Sequence, residues 1–103
     1  MILVKLLGSI KTFEWDSANI SHIARHNVLQ EEAEEIFFDQ DSVLGEDFEH
    51  STIEKRFLII AKTKEGRLLY QIFTFRGNKI RVISSRDINK KEVKLYEKET
   101  RRS

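Results

Sequence analysis

Residues 56–86, RFLIIAKTKEGRLLYQIFTFRGNKIRVISSR, decide the fold. They read as three β-strands in succession: Arg56 to Thr63, Arg67 to Phe75 and Lys79 to Ser85. Lys64-Glu65-Gly66 and Gly77-Asn78 supply the tight turns between them, where glycine accepts φ > 0 without a steric penalty. A three-stranded antiparallel meander is about the smallest sheet that stands alone, provided its apolar face is covered. Side chains alternate along a strand. Ile80, Val82 and Ser84 are therefore expected on one face of the last strand, and Lys79, Arg81, Ile83 and Ser85 on the other. The middle strand likewise divides Leu68, Tyr70, Ile72 and Thr74 from Arg67, Leu69, Gln71, Phe73 and Phe75. Neither set is purely polar, so both faces should be partly covered.

The segments around this unit supply the cover. Upstream, Thr12 to Trp15 is a short strand candidate with two large aromatics. Asp16 is placed to cap a first helix, whose apolar positions are Ile20, Ile23 and Ala24 and which ends near His26. Asn27 suits the left-handed position that closes such a helix. A second helix is predicted over Glu31 to Phe38, with Leu29, Ala33, Ile36 and Phe37 on one stripe and four glutamates toward water. Ser42 to Gly45 reads as another short strand, followed by a polar loop, Asp47 to Ser51, that carries His50. Downstream, Asn89 with Glu92 three residues on forms a capping box for a last helix. Val93 and Tyr96 give that helix an apolar edge, and Lys90, Lys91, Lys94 and Lys98 a basic one.

The predicted architecture is α+β: N-terminal helices packed on a small antiparallel sheet, a meander plus one or two short strands, with a C-terminal helix. A chain of 103 residues suits one domain, 1–103, with its core over 13–98. Residues 1–11 fit either an extra edge strand ended by Gly8 or a leader, and 99–103 read as a flexible tail. No apolar run is long enough to span a membrane, and no signal peptide is legible. The absence of cysteine excludes disulfides and thiolate metal sites and fits a reducing cytoplasm. Net charge is only +1, yet residues 1–75 balance at −5 and residues 76–103 at +6. That asymmetry points to an anionic partner for the C-terminal part, nucleic acid above all, or to a solvated basic helix face.

Arg56, Arg67, Arg76, Arg81 and Arg86 all fall in or beside the meander. They suit phosphate binding, since a guanidinium fork matches phosphate oxygens, and they also suit edge charges that discourage strand pairing. His50 and Glu54 are the general acid or base candidates, on a loop beside a rigid sheet. His22 and His26 are four apart, but a zinc site needs further ligands, so no metal or other cofactor is expected.

Five stretches together resemble the BrnT family of bacterial toxins: FEWD (13–16), HIARHNV (22–28), EEAEEIFFD (31–39), GRLLYQIFTFRGNKIRVISSRD (66–87) and the late pair Glu92 and Tyr96-Glu97. The chain departs from the family pattern with Asn27 for Gly, Gln40 for Pro and SSR for SAR. The resemblance implies a type II toxin with a RelE-like α+β fold and ribonuclease activity. It also implies neutralisation by a DNA-binding, BrnA-like antitoxin of ribbon-helix-helix type, with DNA bound only through that complex. Under it, Arg81 and Arg86 are the first choices for the scissile phosphate in metal-independent RNA cleavage, with Glu54 or His50 as the base. Arg56, Arg67, Arg76 and Lys79 would hold neighbouring phosphates, and Tyr96 would protonate the leaving group. The competing expectation is a non-catalytic nucleic-acid- or protein-binding module of the same fold, acting only in operon autoregulation.

Overall fold

The computed structural model of the protein describes residues 12–101; the expectations for 1–11 and for the last two residues lie outside them. The elements follow in the order α1 (Ser17–Ala24), α2 (Gln30–Glu35), β1 (Val43–Glu46), β2 (Phe57–Lys62), β3 (Leu68–Arg76), β4 (Lys79–Asp87) and α3 (Lys90–Arg101). Short 3-10 turns occupy Ile36–Phe38 and Phe48–His50. The four strands form one antiparallel sheet in the order β1-β2-β3-β4. The architecture is α+β, as the meander predicted.

Local chemistry explains each boundary. The Asp16 carboxylate accepts the amides of Ala18 and Asn19, and Asn19 Oδ1 accepts the Asp16 amide at 2.8 Å, a reciprocal cap for α1. Asn27 stands at φ 57°, in the left-handed region, and stops the turn that follows α1. Leu29 then caps α2 through its backbone, its amide donating to Glu32 at 3.0 Å. Leu29 is consequently outside the helical stripe and 62% exposed, whereas the stripe expected it inside; Val28 is buried instead. Asn89 and Glu92 form the expected box at the start of α3. This helix runs through Arg101, three residues into the stretch read as a tail, because KEVKLYEKETR is built of good helix formers.

One face of the sheet holds the core. Phe73 is fully buried at its centre, with Phe37, Phe57 and Phe75 rings 5.0–5.8 Å away. Phe37 and Phe75 meet it edge-on, and such contacts add about 0.5–1.5 kcal/mol each beyond burial. Ile23, Ala33 and Ile36 pack from α1, α2 and the turn after it onto Ile59, Leu69 and Val82. Among the described residues the second face is covered at one end only: α3 packs on β2, where Ile60 and Tyr96 are buried. At the outer edge of β4, Phe13 bridges Ile80 in parallel, and the Asn19 amide donates to the carbonyls of Glu14 and Val82. These contacts fasten α1 beside the uncovered half of the second face.

Alternation along β4 breaks once. Ile72 pairs with Ser84 and Phe73 with Val82, so Ile83 is an extra residue, a β-bulge. Ser84 therefore does not share the face of Ile80 and Val82; Ser85 is buried with them. Arg81 and Arg86, five positions apart, come to the same second face, opposite Thr74 and Tyr70.

Candidate functional site

The uncovered half of the second face is a trough between α1 and the loop 47–56. Three cavities adjoin in it, of about 240, 280 and 310 Å³, and Arg56 lines all of them. A single drug-sized pocket occupies roughly 300–1,000 Å³. Three small connected hollows suit an extended ligand better than one compact molecule.

The loop that forms one wall is locked at its base. The Asp47 amide donates to the Arg56 carbonyl at 2.8 Å, and the Ser51 hydroxyl donates to the Asp47 carbonyl at 2.6 Å. The Arg56 amide in turn donates to that hydroxyl at 3.0 Å. Within this frame the His50 Nδ1 lies 2.9 Å from the Asp47 carboxylate. A carboxylate accepting from Nδ1–H selects the tautomer whose Nε2 lone pair is free, which is the state a general base needs. Phe48 and Ile53 project from the same loop into solvent, 80% and 100% exposed.

The cations differ in how they are held. Arg81 is only 13% exposed and reaches Glu14 and Asp16, each at 3.0 Å. The Arg81 guanidinium holds the Asp16 carboxyl below its ordinary value, and Asp16 raises Arg81 in return. Arg76 lies 3.7 Å from Glu14 and 3.6 Å from Glu54, loose contacts that leave it half exposed. Among the described residues Arg56 has no ion-pair partner. An incoming anion meets it without displacing a carboxylate.

Of the residues singled out from sequence, His50, Glu54, Arg56, Arg76 and Arg81 converge on the trough. Lys79 is exposed at its rim, as the register partner of Arg76 across the hairpin. Arg86 flanks the opposite end. Its guanidinium stacks 4.3 Å above the Tyr70 ring, which lines the trough, and makes two 2.8 Å bonds to Glu92. Burial, then the nearby Asp47 carboxylate, pushes the Tyr70 phenol up.

Arg67 and Tyr96 are not brought there. Arg67 precedes β3, about 30 Å of extended chain from Arg76 at its other end. Its fork joins Asp87, Glu32 and the carbonyls of His26 and Asn27, which ties the α1–α2 connection to the sheet. Tyr96 is 6% exposed, and its hydroxyl donates to Asp39 at 2.8 Å. Burial, then that carboxylate, pushes its phenol far above the ordinary value, and Tyr96 is not among the residues lining the trough.

Two trough residues escaped sequence reasoning. His22 lines two of the cavities, facing the loop of His50. Its pairing with His26 at metal-like spacing hid it. In fact α1 stops at Ala24, and His26 lies past the helix end with its carbonyl on Arg67. Asp47, the partner of His50, was legible only as a D-x-x-H spacing in a loop. Among the described residues no group of three or more His, Asp or Glu is arranged to hold a metal ion, and no helix is long and apolar enough to cross a membrane.

No individual curated protein matches the sequence. The family model of the ribonuclease toxin BrnT of type II toxin–antitoxin systems matches residues 15–92, which include α1, the whole sheet and every residue lining the trough. With a match over most of its length, the chain belongs to the BrnT family of type II ribonuclease toxins.

Proposed function

We propose that the chain is an endoribonuclease that cleaves RNA in the trough without a metal ion, as the toxin of a type II pair. Its antitoxin is a BrnA-like ribbon-helix-helix protein, DNA is bound only through that complex, and the toxin acts in the cytoplasm. The RNA supplies the nucleophile. His50 Nε2 takes the proton from a 2′-hydroxyl, whose oxygen attacks the adjacent phosphorus. Arg56, Arg76 and Arg81 offset the charge that builds on the phosphorane oxygens. The 5′-oxygen then leaves with a proton from His22, while Glu54 holds Arg76 in place, giving a 2′,3′-cyclic phosphate and a 5′-hydroxyl. Arg86 supports the Tyr70 wall in this scheme, and Arg67 and Tyr96 take no part.

The observation that supports this function is the convergence of three guanidinium groups with a carboxylate-oriented histidine on one open trough. The test is incubation of the purified chain, free of antitoxin, with single-stranded RNA in EDTA. Cleavage at substoichiometric enzyme is expected, with a loss of about 10²-fold or more in Arg56→Ala. Arg56 is the suitable control because its removal breaks no ion pair among the described residues. Intact RNA beside a folded protein, or full activity in Arg56→Ala, would overturn the assignment.

One observation favours a second reading, a non-catalytic module acting only in operon autoregulation. Arg76, Arg81 and Arg86 already carry carboxylate partners, as structural arginines do. RNA protected rather than degraded, with one molecule bound per site, would decide for it.

A further inference from the structure

Beyond Arg56 the trough changes character. Ile72 and Ile83 make an apolar floor, with the Tyr70 ring on one side and His50 on the other, around the largest of the three cavities, about 310 Å³. Glu49 stands at its rim, exposed, and no hydrogen bond or ion pair engages its carboxylate among the described residues. Its neighbour Asp47 is taken by His50. A flat group with one apolar face and hydrogen-bond donors on its edge fits this lining.

We propose that this cavity is a nucleobase subsite that selects guanine in single-stranded RNA, Glu49 reading its Watson–Crick edge. The proposal rests on the trough being an RNA site and adds its sequence preference. An ionised carboxylate is acceptor-only and offers two oxygens side by side. Guanine alone presents two adjacent donors, N1–H and the N2 amino group, to such a pair. Adenine and cytosine set one amino donor beside a ring acceptor. Uracil sets N3–H between two carbonyl oxygens, which a carboxylate repels. Unpaired bases are recognised on these edges while their faces lie on side chains; here the faces meet Ile72, Ile83 and Tyr70. Arg56 lines this cavity and the two cationic ones, so the base and its own phosphate are held within one nucleotide's reach.

The test separates binding from cleavage. Fluorescein-labelled 2′-O-methyl oligouridylates carrying a single central guanine, adenine, cytosine or uracil cannot be cut, and their binding is read by anisotropy. Wild type is expected to favour the guanine oligonucleotide over all-uracil by about tenfold or more. Glu49→Gln, with an unchanged circular dichroism spectrum, is expected to shrink that ratio below about threefold. Equal affinity for the four oligonucleotides, a preference that survives Glu49→Gln, or no binding to any would overturn the subsite. Unmodified RNA is assayed in parallel. Guanine-selective binding with intact RNA would sink the ribonuclease reading and leave the subsite standing. Cleavage with no base preference in binding would do the reverse.

Discussion

At the scale of the residue, His50 and Asp47 behave as a unit. Asp47 sets which ring nitrogen of His50 carries the proton, and Ser51 and Arg56 fix where the ring stands. General acid–base groups contribute about 10²–10⁴-fold. His50→Ala is therefore expected to lower kcat by about 10²-fold or more with little change in KM, read from single-turnover and steady-state cleavage. Asp47→Asn keeps the shape and the loop contacts but removes the carboxylate that orients the ring. A smaller fall in kcat is expected there, again without a change in KM. A rise in KM alone in either variant would show a group that binds substrate and moves no proton. Arg81 differs from Arg56 in that its removal takes the guanidinium from Asp16 and leaves Glu14 with only the loose contact to Arg76, beside the start of α1. Lost activity in Arg81→Ala would thus mix chemistry with structure, which is why Arg56 carries the functional test.

At the scale of the element, helix ends and one strand irregularity carry the design. Asn27 at φ 57° occupies a region where a Cβ costs about 1–2 kcal/mol unless the side chain is Asn, Asp or Gly. Asn27→Ala should lose about 1 kcal/mol in urea unfolding, while Asn27→Gly should fold as well as wild type; equal loss in both would place the cost elsewhere. Glu92 serves α3 twice, accepting the Asn89 amide and pairing with Arg86. Arg86, then the Asn89 amide, hold its carboxyl below the ordinary 4.5, burial opposing them. A depressed folded value means that the stabilisation is full above pH 4.5 and is lost as pH falls through the lower folded value. Wild type should be more stable than Glu92→Gln by about 1 kcal/mol at pH 7, discounting for the exposure of Arg86. The gap should narrow as pH falls below 4.5 and close once it is below the folded value. A gap independent of pH in urea unfolding would assign the effect to packing. The bulge at Ile83 matters for a different reason: it brings Arg81 and Arg86 to one face.

At the scale of the molecule, a net charge of +1 gives little long-range attraction for RNA, so binding must come from the local cluster. Each phosphate contact on a single strand releases counterions and contributes about −0.7 to the slope of log K against log salt. Contacts from Arg56, Arg76 and Arg81 predict a slope near −2 in a salt titration. A slope near zero would remove phosphate contact from the trough; a much steeper one would enlist the lysines of α3, which the proposed site does not use.

Much of this protein was legible in its sequence because the deciding signals are local. The turn glycines, the apolar runs from Phe57 to Ser85, and the caps at Asp16, Asn27 and Asn89 act over a few residues, so the meander, the three helices and the α+β class follow from the chain alone. The family motifs were equally readable, since they are words in one dimension. Where the arginines end up was not. Arg67 and Arg81 look alike in sequence, yet one clasps Asp87, Glu32 and two carbonyls and the other lines the trough. The choice depends on which carboxylates and carbonyls the folded chain brings within about 3 Å, and those partners lie 20 to 67 positions away. The bulge and the placing of His22 and His50 around one cavity have the same origin. Each is set by packing between distant segments, and only the tertiary structure decided them.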